Sequence, residues 1–365
     1  MTKAVGAVLR EHGGAFSVEE LTLAEPSPDE VLVRITATGL CHTDQKVRMG
    51  AREVPVPVVL GHEGAGIVAA TGSKVSDLSA GDHVVLTFAY CGVCANCASG
   101  HPAYCDQADE LNFGANGTAI SAAGTQLHGA FFGQSSFATH ALVDARSAVR
   151  VDADLPLELL GPLGCSIQTG TGAILNVLAP DKDSAVAVWG TGAVGLSAII
   201  AARWLDCRQI IAIDIKPARL ELARELGATG AVLVTPDVDA RAALRELVPG
   251  GVTHAFDTTG RPEVLAAAVA TLAPRGSAAF VGGARAGDTV AIEVNPLLAG
   301  RSLQGIVQGD AVPQQFIPML TERFRRGELP LERLISHYPL TAINQALADA
   351  EAGLAIKPVL TMPTI

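Results

Sequence analysis

The sequence predicts an α/β protein in which a doubly wound parallel sheet follows a region built mostly of antiparallel strands. Residues 30–38 alternate apolar and polar side chains, as a half-buried strand does. From about residue 155 the pattern changes to apolar strands that alternate with helical segments. Such alternation produces βαβ units, so we expect a parallel sheet there. A chain of 365 residues is long for one hydrophobic core, and two domains are expected.

The remaining elements follow from apolar patterns and from the turns between them. In the first part, short strands are expected at 3–9, 30–38, 56–60, 66–70, 83–86, 136–143 and 147–151. A helical pattern over 155–178 leads into the parallel sheet, whose strands are expected at 184–189, 209–213, 231–234, 253–257 and 277–282. Helices are expected at 193–205, 217–226, 239–247, 262–273, 313–325 and 341–352.

The charge and hydropathy of the chain exclude several kinds of partner. The net charge is −11 and no basic cluster occurs, which disfavours binding to nucleic acid or to anionic membranes. No apolar run reaches the roughly 18 residues that a membrane helix needs, and the first residues show no signal-peptide pattern. We therefore expect a cytoplasmic protein that acts on small molecules.

A glycine-rich turn at 190–195 indicates a dinucleotide site. Gly190, Gly192 and Gly195 form a G-x-G-x-x-G motif that follows an apolar strand and opens a helix. This context lets the backbone approach a pyrophosphate at the helix N-terminus. Asp214 ends the next strand, where its carboxylate can accept hydrogen bonds from the ribose hydroxyls. The same negative charge would repel a 2′-phosphate, so NAD is favoured over NADP. The alternative is a structural turn with a surface aspartate.

Four cysteines crowd into residues 91–105. Four thiolates suit a closed tetrahedral zinc site, and the candidate ligands are Cys91, Cys94, Cys97 and Cys105. An iron–sulfur cluster is disfavoured because seven residues precede the last cysteine and an aspartate follows it. A zinc ribbon that binds nucleic acid is disfavoured because the chain lacks a basic patch.

Three further soft ligands are spread along the chain. Cys41 follows a predicted strand, His62 lies in a glycine-flanked turn, and Cys165 precedes the parallel sheet. Their spacing alone does not establish that they meet, and a buried histidine in such a turn is often structural. Whether the three share a metal stays open at this point.

Taken together, these motifs resemble those of the zinc-dependent medium-chain alcohol dehydrogenases over nearly the whole chain. The segments that carry the resemblance are 39–44, 61–66, 91–105, 164–170 and 190–195. It implies a mostly β, GroES-like catalytic domain at 1–166 and 308–365, and a Rossmann domain at 167–307. It also implies two zinc ions per chain. One is catalytic and bound by Cys41, His62 and Cys165, and the other is structural and bound by the four crowded cysteines.

The resemblance implies catalytic roles for residues beside the catalytic zinc. Thr43 takes the alcohol proton, Asp44 holds His62 in its tautomer, and Glu63 lies behind the metal as an occasional ligand. The cation makes the alcohol more acidic, and the nicotinamide accepts the hydride. One position departs from the family pattern: Lys46 stands where many members have a relay histidine, which leaves the last step of proton release open.

The same resemblance implies further contacts to NAD. His42 and Lys357 would contact the pyrophosphate, Thr169 and Val194 would position the nicotinamide, and Arg219 would flank the adenosine ribose. These residues join the glycine turn and Asp214 in the expected cofactor site.

The expected substrate is a primary aromatic or allylic alcohol, oxidised reversibly to its aldehyde. Segments 128–137 and 159–165 resemble the aryl-alcohol dehydrogenase branch, and Thr43, Phe88 and parts of 106–137 would line the pocket. The alternatives are a glutathione-dependent formaldehyde dehydrogenase and a catalytically silent zinc-binding protein. A homodimer or homotetramer is expected, with pairing through the strand-like segment 302–307.

Overall fold

The computed structural model describes residues 1–114, 120–282 and 287–363. The chain forms two compact units. The first contains Met1–Cys165 and Val312–Ile365, and the second contains Ser166–Ala311. The chain thus leaves the first unit directly after Cys165 and returns to it at Val312.

The first unit is built mainly from two sheets whose neighbouring strands are almost all antiparallel. Its strands are β1 (Thr2–Leu9), β2 (Phe16–Leu23), β3 (Glu30–Gly39), β4 (Val58–Val59), β5 (Glu63–Thr71), β6 (His83–Leu86), β7 (Ile120–Ala122), β8 (Thr125–Leu127), β9 (His140–Asp144), β10 (Ala148–Val151), β17 (Ile335–Pro339) and β18 (Lys357–Thr361). One sheet has the order β4-β1-β2-β7-β8. The other has the order β10-β6-β5-β3-β18-β17, and β9 also pairs with β3.

The described residues of the first unit also form six α-helices of short or medium length. They are α1 (His42–Arg48), α2 (Ala95–Ala98), α3 (Ala108–Phe113), α4 (Leu157–Leu160), α11 (Pro313–Arg325) and α12 (Ile343–Ala352). Apolar side chains from both sheets are buried between these elements, among them Leu9, Leu60 and Phe137. Burying such side chains is the main source of the free energy of folding.

The second unit is a six-stranded parallel sheet with helices between its strands. The strands are β11 (Ala185–Trp189), β12 (Gln209–Asp214), β13 (Gly230–Leu233), β14 (Val252–Asp257), β15 (Leu272–Phe280) and β16 (Ser302–Gly305). The helices are α5 (Ser166–Gly172), α6 (Ala193–Trp204), α7 (Pro217–Leu226), α8 (Ala240–Leu247), α9 (Pro262–Ala270) and α10 (Val294–Leu297). The order β13-β12-β11-β14-β15-β16 is that of a dinucleotide-binding sheet. The predicted doubly wound parallel sheet is confirmed.

The predicted helical stretch over 155–178 is interrupted in the structure. A 3₁₀ turn at Gly161–Gly164 separates α4 from α5, and Cys165 has non-helical angles (φ −143°, ψ −83°). Pro162 supplies no backbone N–H, which weakens helical continuity here. A Cβ atom on Gly164 would lie 1.8 Å from the Leu86 carbonyl oxygen, so the chain passes close to β6. The break directs Cys165 into the first unit.

A short helix, α1, was not expected from the sequence. It begins at His42, shortly after β3 ends at Gly39, and Cys41 is its N-cap. The Asp44 carboxylate accepts a hydrogen bond from the Cys41 backbone N–H at 2.8 Å, which satisfies a donor at the start of the helix. Among the described residues, no helix has both the length and the apolar character needed to cross a membrane.

Candidate metal centres and dinucleotide turn

The structure brings the three dispersed ligand candidates of the first unit together. One ligand atom from each of Cys41, His62, Glu63 and Cys165 lies within 4.8 Å of the others. Three of these residues are buried, and Cys41 is partly exposed. Two thiols, an imidazole and a carboxylate therefore converge on one small volume.

Strand pairing explains how residues so far apart in sequence meet. Gly39 at the end of β3 pairs in register with Glu63 at the start of β5. Cys41 and His62 flank this pair and so lie at the same edge of the sheet. The interruption before α5 supplies Cys165 from a third part of the chain.

Asp44 joins two of these residues through hydrogen bonds. It is 1% exposed, and its Oδ1 accepts from the Gly61 backbone N–H at 3.1 Å and lies 3.0 Å from His62 Nδ1. Its Oδ2 accepts from the Cys41 backbone, as described above. Asp44 therefore orients the imidazole of His62 and also fixes the backbone of Cys41, which is the kind of contact that tunes a metal ligand.

Gln134 holds the same histidine through its backbone. Its Nε2 donates to the His62 carbonyl at 3.0 Å and to the Thr87 carbonyl at 3.2 Å, and its Oε1 accepts from the Gly64 N–H at 3.2 Å. The side chain is buried, so losing these bonds would leave backbone groups unsatisfied.

Aromatic rings enclose the imidazole. The Phe132 ring stacks on His62 with centroids 4.3 Å apart, and the Phe131 ring meets it edge-on at 5.4 Å. Phe113 packs against Phe132 at 4.9 Å and extends this group of rings outward. The volume beside His62 is therefore bounded by flat apolar surfaces.

Charged groups around the site favour a cation. A hydrogen bond from the Cys165 thiol holds the pKa of Cys41 well below its usual range. Burial disfavours the charged form of His62, but the carboxylate of Asp44 and the sulfur of Cys41 outweigh it and raise its pKa. A proton or a metal ion at this position would satisfy the same negative groups.

Lys357 lies inside this site rather than on a surface. The side chain is buried, and its Nζ donates to the Leu40 carbonyl and to Glu63 Oε1, both at 3.0 Å. Burial raises the pKa of Glu63, and the Lys357 ammonium opposes that rise. Two of the three ammonium donors are thus used within the first unit, and the pyrophosphate contact expected for Lys357 stays a prediction.

The residues present fit a zinc ion. His62 Nε2 is buried and has no hydrogen-bond partner in the described part of the chain, although the other ring nitrogen is bonded to Asp44. A buried orphan nitrogen beside two thiols is what an absent metal bond would leave. Two sulfurs and one imidazole nitrogen form the Cys2His set of a catalytic zinc, with a fourth position for another ligand.

The second group of ligands lies in the segment 91–105, hereafter the cysteine lobe. The four Sγ atoms of Cys91, Cys94, Cys97 and Cys105 lie within 4.8 Å of one another. Backbone N–H groups from within the lobe donate to the sulfurs, and those of Val93 and Cys94 lower the pKa of Cys91 to about 6. Four thiols supported in this way fit a closed tetrahedral zinc site.

Arg146 ties the cysteine lobe to the sheet. Its Nη1 donates to the Cys91 carbonyl, and its guanidinium pairs with Asp144 at the end of β9. Local backbone bonds to the sulfurs and the Arg146 side chain thus both support the lobe.

In the second unit, the glycine turn joins β11 to α6 at the carboxyl edge of the sheet. Gly190 has φ +86°, and a Cβ there would lie 2.6 Å from Thr258 Oγ1. α6 begins at Ala193, so its N-terminal N–H groups follow the turn. This is the arrangement that binds a pyrophosphate in dinucleotide-binding folds.

Asp214 ends β12, beside this turn. It is 6% exposed. Its Oδ2 accepts from both the backbone N–H and the hydroxyl of Thr191, each at 2.7 Å, and its Oδ1 accepts from the Lys216 N–H at 2.9 Å. The carboxylate expected to bind ribose is thus held in a defined orientation.

The other expected cofactor residues lie in both units. In the second unit, Thr169 is on α5, Val194 is on the first turn of α6, and Arg219 is partly exposed on α7. In the first unit, His42 is exposed at the start of α1, and partial desolvation together with the Lys46 ammonium lowers its pKa.

Thr43 and Phe88 are the two individual residues expected to line the substrate pocket. The Thr43 hydroxyl is 3.9 Å from the Cys41 sulfur, so it borders the metal site. Phe88 is buried, with its ring 5.8 Å from that of Tyr90.

Sequence reasoning missed several residues that shape the first metal site. The support of His62 by Gln134, its stacking with Phe132 and the pairing of Lys357 with Glu63 all depend on long-range packing. Only Asp44 carried a local signal, because an acidic residue three positions after Cys41 is typical of a helix start.

Comparisons with known proteins agree with this geometry. Residues 27–153 match the family described as the alcohol dehydrogenase GroES-like domain, and residues 193–324 match the zinc-binding dehydrogenase family. The first match covers part of the first unit, including Cys41, His62 and the cysteine lobe, and the second covers most of the parallel sheet.

Three relatives span nearly the whole chain. Geraniol dehydrogenase of Castellaniella defragrans is 46% identical over 98% of this chain and 97% of its own. A zinc-binding-domain alcohol dehydrogenase from Burkholderia ambifaria is 50% identical with a TM-score of 0.97, and both chains are fully covered. Benzyl alcohol dehydrogenase from Acinetobacter calcoaceticus is 42% identical with a TM-score of 0.96, again over both full chains. The chain therefore belongs to the zinc-dependent medium-chain alcohol dehydrogenases, which use zinc and NAD or NADP to act on small alcohols.

Proposed function

We propose that this enzyme oxidises primary aromatic or allylic alcohols to aldehydes, reversibly and with NAD as the hydride acceptor. The observation that carries the proposal is the group of aromatic rings around the buried metal-ligand candidate His62. Phe132 stacks on the imidazole and Phe113 continues the apolar surface outward. A flat, unsaturated group beside the carbinol carbon matches such walls better than a short aliphatic alcohol does.

We assign the catalytic zinc to Cys41, His62 and Cys165, and a structural zinc to the cysteine lobe. The convergence of each set within 4.8 Å supports this assignment. A catalytic zinc supplies a positive charge that favours loss of the alcohol proton. The two separate ligand sets support a proposed content of two metal ions per chain.

The chain's own residues then bind and deprotonate the alcohol. We assign proton transfer to the Thr43 hydroxyl, because it borders the metal site while its residue is partly exposed. Asp44 keeps the Nδ1 proton of His62 directed at itself, which leaves Nε2 for the metal. Lys46, on the same short helix, is the candidate for passing the proton outward.

Glu63 and Lys357 form a buried pair behind the ligands. The ammonium neutralises the Glu63 carboxylate at 3.0 Å and so lowers the cost of burying it next to two thiols. We assign Lys357 to this pairing, and Glu63 to occasional metal binding when the pair opens.

NAD would bind at the carboxyl edge of the parallel sheet. The glycine turn and the start of α6 would hold the pyrophosphate, and Asp214 would accept from the adenosine ribose. Arg219, Thr169 and Val194 are assigned to ribose and nicotinamide contacts, and the exposed imidazole of His42 to the pyrophosphate. NAD is preferred because the buried Asp214 carboxylate would repel a 2′-phosphate.

The substrate walls are assigned to Phe88, Phe113, Phe131 and Phe132. The relatives named for geraniol and for benzyl alcohol act on an allylic and an aromatic alcohol, which supports the same class here. Part of the predicted pocket segment, residues 115–119, lies outside the described residues.

A homo-oligomer is proposed from the position of β16. This strand (Ser302–Gly305) is the last of the parallel sheet, so one of its edges faces away from β15. An unpaired edge is a template for pairing with a second copy. Size-exclusion chromatography with light scattering would distinguish a monomer from a dimer or tetramer.

The deciding experiment is NAD reduction by the purified protein with benzyl alcohol, geraniol, ethanol and S-hydroxymethylglutathione. We expect kcat/KM for benzyl alcohol or geraniol to exceed that for ethanol by about 100-fold, since each buried apolar group adds to binding. The wall variant Phe132→Ala should lower that ratio. Turnover of S-hydroxymethylglutathione alone would contradict the substrate class, and no turnover of any alcohol would indicate a silent zinc-binding protein.

A further inference from the structure

The turn residue Thr191 has contacts that the proposed NAD site does not yet use. It lies between the first two glycines of the motif, a position that the motif leaves open to any residue. Its side chain is fully buried, and its hydroxyl and backbone N–H both donate to Asp214 Oδ2 at 2.7 Å. Hydrogen bonds to a charged acceptor at this distance are among the stronger ones in proteins.

The bonds to Asp214 occupy most of its acceptor positions. A carboxylate has roughly four lone-pair positions. Thr191 takes both of those on Oδ2, and the Lys216 N–H takes one on Oδ1. One position on Oδ1 is therefore left for a ligand, and the carboxylate cannot rotate without breaking bonds to Thr191.

The rest of the turn is held in a similar way from the opposite side. The Thr258 N–H donates to the Trp189 carbonyl at 2.9 Å, and its hydroxyl lies 3.0 Å from the Gly190 carbonyl oxygen. Because the turn is fixed by Thr258, loss of the Thr191 hydroxyl would act mainly on Asp214 and not on the path of the backbone.

We propose that Thr191 is a positioning residue for cofactor choice. Its hydroxyl and N–H lock Asp214 so that Oδ1 faces one hydroxyl of the adenosine ribose, and the fixed negative charge rejects a 2′-phosphate. This inference rests on the proposed use of NAD. The selectivity for NAD over NADP then depends on Thr191 and Asp214 together and not on Asp214 alone.

The test compares Thr191→Val with Thr191→Ser. Valine has the shape of threonine without the hydroxyl, whereas serine keeps the hydroxyl. We expect Thr191→Val to raise KM for NAD about tenfold, to lower kcat much less, and to raise the NADP-to-NAD ratio of kcat/KM about tenfold. Thr191→Ser keeps the hydroxyl, so its KM for NAD and its NADP-to-NAD ratio should stay within about threefold of those of the original protein.

A matched control comes from the other end of the same sheet. Thr253 on β14 donates its hydroxyl to the Ala185 carbonyl at 2.9 Å, at the start of β11. The same hydroxyl accepts from the Ala185 N–H at 3.0 Å. Thr253→Val removes both bonds at the start of β11, away from the turn at its end, so it should lower the unfolding temperature without changing the NADP-to-NAD ratio. If Thr191→Val does not fold, Thr191→Ala takes its place in the comparison.

Asp214→Ala separates failure of this inference from failure of the NAD proposal. If Asp214→Ala raises the NADP-to-NAD ratio while Thr191→Val leaves it unchanged, the inference is wrong and the NAD proposal stands. Equal effects of the valine and serine variants would also contradict it, because the hydroxyl would then have no role. If Asp214→Ala leaves the ratio unchanged, both the inference and the NAD proposal fail.

Discussion

The two candidate metal-binding groups of the first unit are similarly compact, but they are assembled in opposite ways. In the cysteine lobe the ligands are close in sequence, and backbone N–H groups of the lobe itself bond to the sulfurs. At the Cys41–His62–Cys165 group the ligands come from three distant segments, and buried side chains such as Asp44 and Gln134 hold them. A metal site whose ligands are held by neighbouring backbone groups stabilises the fold. A metal site assembled by long-range contacts can keep one coordination position free for a substrate.

The largest expected effect concerns the dispersed group. Cys165→Ser removes one thiolate, so we expect one zinc per chain instead of two and at least a 1,000-fold loss of alcohol oxidation, roughly the several kcal/mol that a catalytic cation contributes. Metal content by mass spectrometry and NADH formation measure both. The unfolding temperature should change little, because β3, β5 and their core remain. Retention of two zinc ions with full activity would show that Cys165 is not a ligand.

The corresponding cysteine-to-serine change in the cysteine lobe should lower the thermal stability of the protein more than its catalytic activity. Cys97→Ser should also leave one zinc per chain, but with a fall in unfolding temperature of about 10 °C or more, since bound structural zinc contributes directly to folding. Alcohol oxidation assayed well below that temperature should stay within a few-fold of the original protein. If Cys97→Ser lost as much activity as Cys165→Ser while its unfolding temperature stayed unchanged, the assignment of one structural and one catalytic site would be wrong.

A smaller effect is expected from the side chain that supports His62. Asp44→Asn keeps the shape of the side chain but weakens its bond to the imidazole, so we expect catalytic zinc to bind about 10- to 100-fold more weakly. Zinc titration of the chelator-treated protein measures this. The control is Asp106→Asn, the same change beside the cysteine lobe, where the exposed Asp106 carboxylate accepts a hydrogen bond from the Asn96 side chain. Equal weakening in both variants would contradict a specific role for Asp44.

The smallest effect should come from Arg146, whose side chain links the lobe to the end of β9. Arg146→Gln removes the donor to the Cys91 carbonyl and the pairing with Asp144, and should lower the free energy of unfolding by about 1 kcal/mol. Denaturant titration would measure it, with exposed Arg150→Gln on β10 as the control. A loss of several kcal/mol would mean that the lobe depends on the sheet far more than its own hydrogen bonds indicate.

The same contrast explains what the sequence revealed. The cysteine lobe and the glycine turn were predictable because their spacing is local and each is recognised within a short segment. The meeting of Cys41, His62 and Cys165 was not predictable from spacing, since it depends on the register of β3 with β5 and on the break before α5. It was expected only through resemblance to a family.

Other features could not be anticipated, for physical reasons. Nothing in the local sequence indicates that the amide of Gln134 is buried against the His62 backbone. The residues around Lys357 in the sequence are compatible with a surface lysine. In the structure β18 pairs with β3, and this pairing places the Lys357 ammonium against Glu63 beside the candidate metal ligands. Helix α1 has only two turns, and the acidic residue near its start is a weak signal until Cys41 is seen to be the N-cap.

The spacing of the ligands also sets an order of events during folding. The cysteine lobe closes a short loop, which costs little chain entropy, so it can bind its metal while most of the chain is still unfolded. The dispersed site requires β3, β5 and the segment before α5 to be in place, and contacts between such distant segments form late. We therefore expect each newly made chain to acquire its structural zinc first, and to become an active enzyme only when the second ion binds.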